Sequence, residues 1–375
     1  MYREATKYGV NLDQFQKTPL NPDFHTAMKR TVSAMTSALS GLPFDDFRRL
    51  VATMPRADGE AVVAVRARNA CLTKPLGSLG RLEELAEWLA AWQGQARPTV
   101  RKPMVCIFAG SHGVALKGVS AFPVEVNHQM VANFSAGGAA INQLCTSFNF
   151  GLKVFELALE QPTPDITETD AFSEAECAAT MAFGMEAVSA GMDLLMIGEM
   201  GIGNTTVAAA IYHALYGGEA ADWIGRGTGV DDAGLERKRA AVAAAVARLG
   251  EGRRDGFEVL RRVGGREIAA MVGAIIAARH QRIPVVADGY VVTSAVAILH
   301  AIDPSAVDHV VIGHASVEGA HRDVIARLGK APIVDLGFRL GEATGAAVAG
   351  AIVRAAADTH NGMATFTEAG VSDKG

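Results

Sequence analysis

Residues 193–206 constrain the fold of this chain more than any other stretch. Their sequence is DLLMIGEMGIGNTT, and an alanine-rich segment with helical periodicity follows. The apolar run has the length of a buried strand, three glycines predict a tight loop, and Asn204, Thr205 and Thr206 are residues that start helices. A strand, a tight loop and a helix N-terminus in this order predict a phosphate-binding edge in a parallel sheet, because free N–H groups and a positive dipole end lie there.

Two glutamates lie in glycine-rich stretches of this kind. Glu199 is inside the loop described above, and Glu342 belongs to the stretch LGEATG near the C-terminus. A carboxylate repels phosphate, so we expect Glu199 to face a sugar hydroxyl or a developing positive charge. An acid in the first turn of a helix is also favoured by the helix dipole. For Glu342, that structural role and a chemical role are compatible.

Short apolar runs alternate with helical segments through most of the chain. The six predicted strands cover residues 104–109, 154–157, 194–197, 284–288, 309–312 and 332–336. The predicted helices between and after them include residues 124–144, 173–190, 204–216, 235–249 and 342–357. Continuous apolar strands, as opposed to alternating ones, indicate a parallel sheet that is buried on both faces. We therefore predict an α/β fold with a doubly wound, mainly parallel six-stranded sheet and helices on both faces.

The same pattern divides the chain into four parts. We predict that residues 1–45 form an irregular extension, because Pro, Asp and Asn recur there without periodicity. Residues 46–100 have helical patterns and no strand, which predicts a small helical subdomain. Residues 101–358 contain the predicted sheet of a Rossmann-like catalytic domain, and residues 359–375 predict a polar, mobile tail.

Composition excludes several classes of function. The 375 residues are 49% hydrophobic and 20% charged, the formal net charge is −5, and the pI is near 6.1. No cluster of Lys and Arg resembles a nucleic-acid surface, and no apolar run is long enough to span a bilayer. The four cysteines form no CxxC pair, and the N-terminus has no secretory signal, which favours free thiols in a reducing compartment. We expect a cytoplasmic protein with no nucleic-acid or membrane partner.

Motifs of other nucleotide enzymes are absent from the sequence. There is no Walker A motif, no GxGxxG after the first strand and no GxSxG elbow. The histidines have no HExxH pairing, so no metal site is predicted. The glycine-rich residues 225–229 are a weak phosphate signal, and Lys238 would supply a cation nearby.

Several motifs together resemble one family. They are KPLGSLG at 74–80, SAGGAA at 135–140, GEMGIGNTT at 198–206, GTG at 227–229, DG at 288–289 and RLGE at 339–342. In composition and order they are similar to the nicotinate-nucleotide:dimethylbenzimidazole phosphoribosyltransferases of cobalamin lower-ligand assembly. The match extends from about residue 60 to about residue 358. The motif at 198–206 is the most specific of the set.

The resemblance implies a reaction. The phosphoribosyl group of nicotinate mononucleotide would move to a nitrogen of 5,6-dimethylbenzimidazole with inversion at C1′, giving α-ribazole 5′-phosphate and nicotinate. The resemblance further implies a homodimer that needs no cofactor and no metal. Transfer to another azole or purine, or a non-catalytic role as a nucleotide-binding regulator, remains an alternative.

The resemblance also implies roles for individual residues. Glu342 matches the general base, and Glu199 matches the second glutamate of the site. The positions that match the surroundings of the ribose phosphate are Lys238, Gly227, Thr228, Gly229, Asp288, Gly289 and Ser316. Those near the benzimidazole pocket are Ala121, Gln129 and Met200. The other substrate-binding residues expected from the glycine-rich motifs are Gly201, Gly203, Asn204, Thr205, Leu340 and Gly341.

Overall fold

A parallel sheet of six strands is the centre of the computed structural model, which describes residues 43–188, 191–250 and 254–372. The strands are β1 Pro103–Ala109, β2 Gly151–Glu156, β3 Leu194–Met200, β4 Val285–Ala287, β5 Val310–His314 and β6 Pro332–Val334. They lie in the order β2-β1-β3-β4-β5-β6, and each neighbouring pair is parallel. The predicted α/β fold and its six strands are confirmed.

Helices precede, connect and follow the strands. They are α1 Pro43–Ala52, α2 Gly59–Cys71, α3 Arg81–Gln93, α4 Val126–Ala136, α5 Ala140–Phe148, α6 Glu174–Ala187, α7 Asn204–Tyr216, α8 Ala220–Trp223, α9 Asp232–Ala247, α10 Gly256–Val263, α11 Arg266–His280, α12 Tyr290–Ile302, α13 His321–Arg327, α14 Thr344–Gly362 and α15 Phe366–Ala369. Short 3-10 helices cover Gly113–Lys117 and Pro304–Val307. None of the helices in the described ranges has the length and apolar character needed to cross a membrane.

The prediction of one long helix over residues 124–144 is wrong. Gly137 adopts a left-handed conformation with φ of 80° and ends α4. The chain then turns, and α5 begins at Ala140, where the side chain of Asn142 accepts the N–H of Ala139 at 3.0 Å. A glycine in this conformation is a common helix C-cap, and the apolar periodicity on its two sides concealed the break.

Hydrophobic clusters cover both faces of the sheet. On one face, Cys106 and Phe108 of β1 and Ile197 of β3 belong to a cluster with residues of α6, α7, α11 and α12. On the other face, Ile107 and Met196 belong to a cluster with residues of α3 and α14. Successive strand residues point to opposite faces, so continuous apolar strands are required when both faces are buried.

Two of the three described helices before β1 contribute residues to the same clusters. Phe44 and Phe47 of α1 belong to the first cluster, and Leu85 and Leu89 of α3 belong to the second. The predicted domain boundary at residue 358 falls inside α14, and α15 lies in the segment predicted as a tail. The predicted extension lies outside the described residues, except for its last three positions in α1. The division into domains stays a prediction.

The order of the strands places a crevice between β1 and β3. The chain passes from β1 to β2 on one side and then to β3 on the other side of β1. Loops that leave neighbouring strands in opposite directions open a ligand crevice at the C-terminal ends of those strands. Gly110 follows β1 and donates its N–H to the carbonyl of Met200 at 2.9 Å. Glu199 immediately precedes Met200 in β3, so it lies at this switch point.

Candidate active site

The loop after β3 holds Glu199 in a fixed orientation. Glu199 is 8% exposed, and its Oε2 accepts a hydrogen bond from the Nδ2 of Asn204, the first residue of α7. Gly203 has a φ of 93°, a conformation that glycine adopts without strain. The side chain of Asn127 accepts the N–H of Ile202 at 2.8 Å and supports the loop from α4. The predicted strand, tight loop and helix N-terminus are confirmed.

Glu342 sits in an unusual backbone conformation. Gly341, Glu342 and Ala343 have φ values of 81°, 58° and 62°, all in the left-handed region. Two consecutive non-glycine residues in this region cost about 1 kcal/mol or more each. The helix α14 consequently begins at Thr344, two residues later than predicted. This conformation leaves the Glu342 carboxylate in a buried position at the N-terminus of α14.

Two glycines allow the loops of Glu199 and Glu342 to pack together. A Cβ on Gly198 would overlap the backbone of Ala343, so β3 and the start of α14 are in direct contact. A Cβ on Gly341 would overlap Oε1 of Glu199. The two predicted catalytic loops, far apart in sequence, are therefore neighbours at the edge of the sheet.

Burial and mutual repulsion make these acids weak. Burial, together with the charges of Asp288, Glu267 and Glu342, raises the pKa of Glu199 to about 8, and the hydrogen bond from Asn204 opposes the shift. Burial and the charge of Asp288 raise the pKa of Glu342 to about 7. A carboxyl group with a pKa near 7 can accept a proton during a reaction and release it afterwards.

Asp288 connects β4 and β5 to the loop of Glu342. It follows β4, is fully buried, and accepts the N–H of Ala346 at 2.7 Å. The imidazole of His314, at the end of β5, lies 3.7 Å from its Oδ1. Burial raises the pKa of Asp288, while His314 and the N–H groups of Ala343, Gly345 and Ala346 oppose the shift. The ends of β4 and β5 are thus joined to the first turn of α14.

A lysine lies beside the N-terminus of α7. Lys238 of α9 is 1% exposed, and its Nζ donates to the carbonyl of Gly225 at 2.8 Å and to Oγ1 of Thr205 at 3.1 Å. Burial lowers the pKa of Lys238 to about 8, and the charge of Glu318 opposes the shift. The weak sequence signal of residues 225–229 therefore coincides with a buried cation.

The glycine-rich loop after α8 meets the loop after β1. Gly227 and Gly229 have φ values of 51° and 109°. Oγ1 of Thr228 lies 3.1 Å from Oγ of Ser120 and accepts the N–H of Ala121 at 3.1 Å. These contacts bring Ala121, which is predicted near the benzimidazole pocket, next to Thr228, which is predicted near the ribose phosphate.

Comparison with known proteins identifies the family. A family model described as a phosphoribosyltransferase matches residues 54–371. The chain belongs to this phosphoribosyltransferase family. The resemblance predicted from the motifs is confirmed, and the matched range includes every predicted site residue.

Named relatives are similar to this phosphoribosyltransferase over most of their length. The nicotinate-nucleotide–dimethylbenzimidazole phosphoribosyltransferase of Rhizobium johnstonii is 62% identical over 337 residues, which are 90% of this chain and 99% of the relative. The protein of the same name from Methylocella silvestris is 62% identical over 332 residues, 88% of this chain and 97% of the relative. The crystal structure of an enzyme of that name from Thermus thermophilus superposes with a TM-score of 0.79 at 39% identity, covering 84% of this chain and all of the other.

The remaining predicted site residues of the phosphoribosyltransferase differ in their surroundings. Gly289 packs against the imidazole of His314, and Ser316 is buried after β5. Gln129 is exposed on α4, and Leu340 is 56% exposed. Within the described residues, no hydrogen bond joins the side chain of Gln129 to another predicted site residue. The roles of all the predicted site residues stay predictions.

Three polar side chains near the site of the phosphoribosyltransferase are not among the predicted site residues. Nε2 of His112 lies 2.7 Å from Oε1 of Glu267, and both side chains are buried close to Gly110 and Gly265. Glu318 is buried next to the loop of residues 225–229. His112 and Glu318 each follow the end of a strand by a few residues, a position that favours a site role. No group of three or more metal-binding side chains occurs in the described parts of the chain.

Proposed function

We propose that this phosphoribosyltransferase transfers the phosphoribosyl group of nicotinate mononucleotide to a nitrogen of 5,6-dimethylbenzimidazole, with inversion at C1′. The products are nicotinate and α-ribazole 5′-phosphate, and the step belongs to the assembly of the cobalamin nucleotide loop. The pair of buried carboxylates, Glu199 and Glu342, at the switch point carries the proposal. The names of the relatives support the choice of substrates.

Glu342 is the proposed general base. The C1′–N bond to nicotinate breaks with its electron pair going to the pyridine nitrogen, which leaves neutral and needs no acid. The lone pair of the acceptor nitrogen forms the new C1′–N bond. The N–H on the second nitrogen of the acceptor ring then becomes acidic. A carboxylate with a pKa near 7 is suited to take that proton. Burial of Glu342 also keeps water away from the ribosyl cation.

Glu199 is proposed to stabilise the positive charge of the donor. Nicotinate mononucleotide carries a pyridinium nitrogen, and positive charge develops at C1′ when the bond breaks. A nearby cation favours the ionised form of a carboxyl group, so the bound donor would lower the pKa of Glu199 from its value of about 8. The hydrogen bond from Asn204 keeps the carboxylate in place and reduces reorganisation during the reaction.

The other predicted residues surround the two substrates in this proposal. Lys238 would bind the 5′-phosphate, and the residues placed around it are Thr205, Gly227, Thr228, Gly229, Asp288, Gly289 and Ser316. The residues proposed at the donor ring and the benzimidazole are Ala121, Gln129, Met200, Gly201, Gly203, Leu340 and Gly341. Holding both substrates in line makes a two-substrate step effectively unimolecular, which supplies a large part of the rate.

We also propose that the enzyme is a cytoplasmic homodimer. Three buried cysteines, Cys106, Cys145 and Cys177, are free thiols, which is the usual state in a reducing compartment. Three apolar side chains are at least half exposed: Leu116 in the 3-10 helix after β1, Phe122 in the loop after that helix, and Leu336 in the loop after β6. A second copy that covers these apolar side chains would explain their exposure.

One assay tests the proposed function. Purified protein is mixed with nicotinate mononucleotide and 5,6-dimethylbenzimidazole, and nicotinate release and α-riboside formation are followed by chromatography. We expect both products from the wild type. Glu342→Gln should form them about 10²–10⁴-fold more slowly and should still bind nicotinate mononucleotide. If nicotinate were released with adenine or another azole and not with dimethylbenzimidazole, the identity of the proposed acceptor would have to be revised. Absence of product with every azole would contradict the enzymatic function and favour a nucleotide-binding regulator.

A further inference from the structure

Glu318 is a buried carboxylate in contact with the loop of residues 225–229. It lies four residues after β5 and is 8% exposed. Its Oε1 accepts the N–H of Gly227 at 2.8 Å. Its Oε2 faces Gly225, where a Cβ would overlap it, and has no hydrogen-bond partner within the described residues. A buried carboxylate oxygen without a partner is costly, so the position calls for an explanation.

Lys238 holds the same loop segment through different atoms. Its Nζ donates to the carbonyl of Gly225 and to Oγ1 of Thr205, and a Cβ on Gly227 would lie 3.1 Å from this Nζ. An ammonium group has three protons, so one remains for a ligand. The backbone between Gly225 and Gly227 is therefore fixed by both an anion and a cation.

We propose that Glu318 is a positioning residue of the phosphate site, which holds the backbone of residues 225–227 and places a negative charge on the same loop segment as Lys238, the cation proposed to bind the 5′-phosphate of the nucleotide. This inference rests on the proposed function, because it takes the phosphate of nicotinate mononucleotide as the ligand of Lys238. A carboxylate beside a phosphate site normally weakens anion binding. Here it maintains the charge of the cation that binds the anion.

Burial of Lys238 makes its charge dependent on Glu318. Burial lowers the pKa of this lysine to about 8, and Glu318 is the charged group that opposes the shift. Without that negative charge, the amine would lose its proton at a still lower pH. Tyr290 also faces Glu318, and burial together with the charge of Glu318 keeps its pKa well above the usual value, so Tyr290 stays neutral.

The other cations near the loop do not take the place of Lys238. Arg339 donates from Nη1 to the carbonyl of Gly227 at 3.4 Å, on an exposed segment. Arg226 is exposed and forms an ion pair with Asp232 at 2.6 Å. A guanidinium group is not deprotonated in proteins, so an arginine contact does not produce a pH dependence.

Glu318 is itself held by residues of the loop after β5. Its N–H donates to Oγ of Ser316 at 3.3 Å, and the N–H of Ser316 donates to Nδ1 of His321 at 2.8 Å. Nε2 of His321 lies 2.9 Å from Oγ1 of Thr293. Burial and the charge of His314 lower the pKa of His321 to about 3, so His321 stays neutral near neutral pH and above.

Two substitutions separate the two roles of Glu318. Glu318→Gln keeps an oxygen that can accept the N–H of Gly227 but removes the charge. Glu318→Asp keeps the charge but is one methylene shorter. Dissociation constants of nicotinate mononucleotide and of nicotinate riboside are measured by calorimetry between about pH 6 and pH 10. This range surrounds the lowered pKa of Lys238, which is about 8. The ratio of the two constants isolates the phosphate, because Glu199 and Glu342 titrate in both complexes.

In the wild type, the preference for the phosphorylated ligand should fall as the pH rises through about 8, where Lys238 loses its proton. In Glu318→Gln, that fall should begin at least about one pH unit lower than in the wild type. Between that lower pH and pH 8, the variant should prefer the phosphorylated ligand about tenfold less than the wild type does. Glu318→Asp should keep the pH dependence of the wild type with weaker binding throughout. Glu186→Gln is the matched control, because Glu186 is a half-buried acid near the end of α6, a helix that contains no predicted site residue.

An unchanged pH dependence in Glu318→Gln, with its folding verified by thermal unfolding, would overturn the inference. Equal behaviour of the Gln and Asp variants would do the same, because it would assign the effect to geometry alone. Lys238→Arg gives a second test that leaves Glu318 intact: its guanidinium stays charged, so the pH dependence should disappear, and its persistence would contradict the role of Lys238. Turnover by the wild type is measured in parallel. Failure to turn over contradicts the proposed function, whereas normal turnover with unchanged binding ratios contradicts only the inference.

Discussion

Asp288 accepts the backbone N–H of Ala346 at 2.7 Å, which ties the end of β4 to the first turn of α14. Glu342 precedes that turn in a left-handed conformation, so the helix that Asp288 anchors also sets the position of the proposed base. The same carboxylate raises the pKa of Glu199 and of Glu342. One buried acid thus combines a structural contact with an electrostatic effect on both proposed catalytic groups.

Asp288→Asn should separate these two effects. The asparagine oxygen can still accept the N–H of Ala346, but the negative charge is lost. The pKa of Glu342 should therefore fall, and the acidic limb of the kcat profile should move to lower pH by a fraction of a unit to about one unit. Asp358→Asn on the exposed side of α14 is the control. An acidic limb that stays in place would show that Asp288 does not act on the base.

Substitution of Glu342 should remove the chemical step and leave binding intact. Glu342→Gln is expected to lower kcat by about 10²–10⁴-fold, the usual contribution of a general base. In the wild type, the carboxyl group has a raised pKa of about 7, so it holds a proton below that pH and is a base above it. The wild-type rate should consequently decrease as the pH falls through about 7. Rates from quenched reactions across this pH range test the loss of kcat in Glu342→Gln and the pH dependence of the wild type. The affinity for nicotinate mononucleotide is measured separately.

Asn204 should tune the charge of Glu199. Its hydrogen bond favours the ionised carboxylate. Asn204→Ala removes that bond, so the pKa of Glu199 should rise above 8 and more of the acid should be protonated at neutral pH. We expect activity to fall at pH 7 and to recover in part as the pH is raised. A loss of the same size at every pH would indicate a displaced loop instead, which thermal unfolding and ligand affinity would reveal.

Much of the fold could be predicted because it depends on local patterns. The continuous apolar runs indicated the six strands, since a strand that is buried on both faces has no polar positions. The start of α7 at Asn204 followed from a glycine loop and capping residues. The approach of Glu199 to the loop of Glu342 followed less directly, from the rule that ligand loops share one edge of a parallel sheet.

Other parts depend on contacts that a sequence pattern does not contain. The left-handed conformation of Glu342 and Ala343 is imposed by the tertiary structure, in which Gly198 packs directly against Ala343, so the helix start was predicted two residues too early. The contact between His112 and Glu267 joins a loop after β1 to the first turn of α11, and neither residue type alone indicates the partner. Glu318 was missed because a single acid after a strand is common in exposed loops.

The contact of Gly198 with Ala343 should be essential for both stability and activity. A Cβ at position 198 would overlap the backbone of Ala343, and backbone cannot move aside as a flexible side chain can. Gly198→Ala should therefore cost about 1–3 kcal/mol in the free energy of unfolding and displace Glu342 from the acceptor. Gly59→Ala is the matched control, because Gly59 is the first residue of α2, has no atom within 4 Å of the added Cβ, and should be nearly neutral. Denaturant unfolding and kcat are measured for both variants. If Gly198→Ala matched the control in both measurements, the packing of β3 against the start of α14 would not set the position of the base.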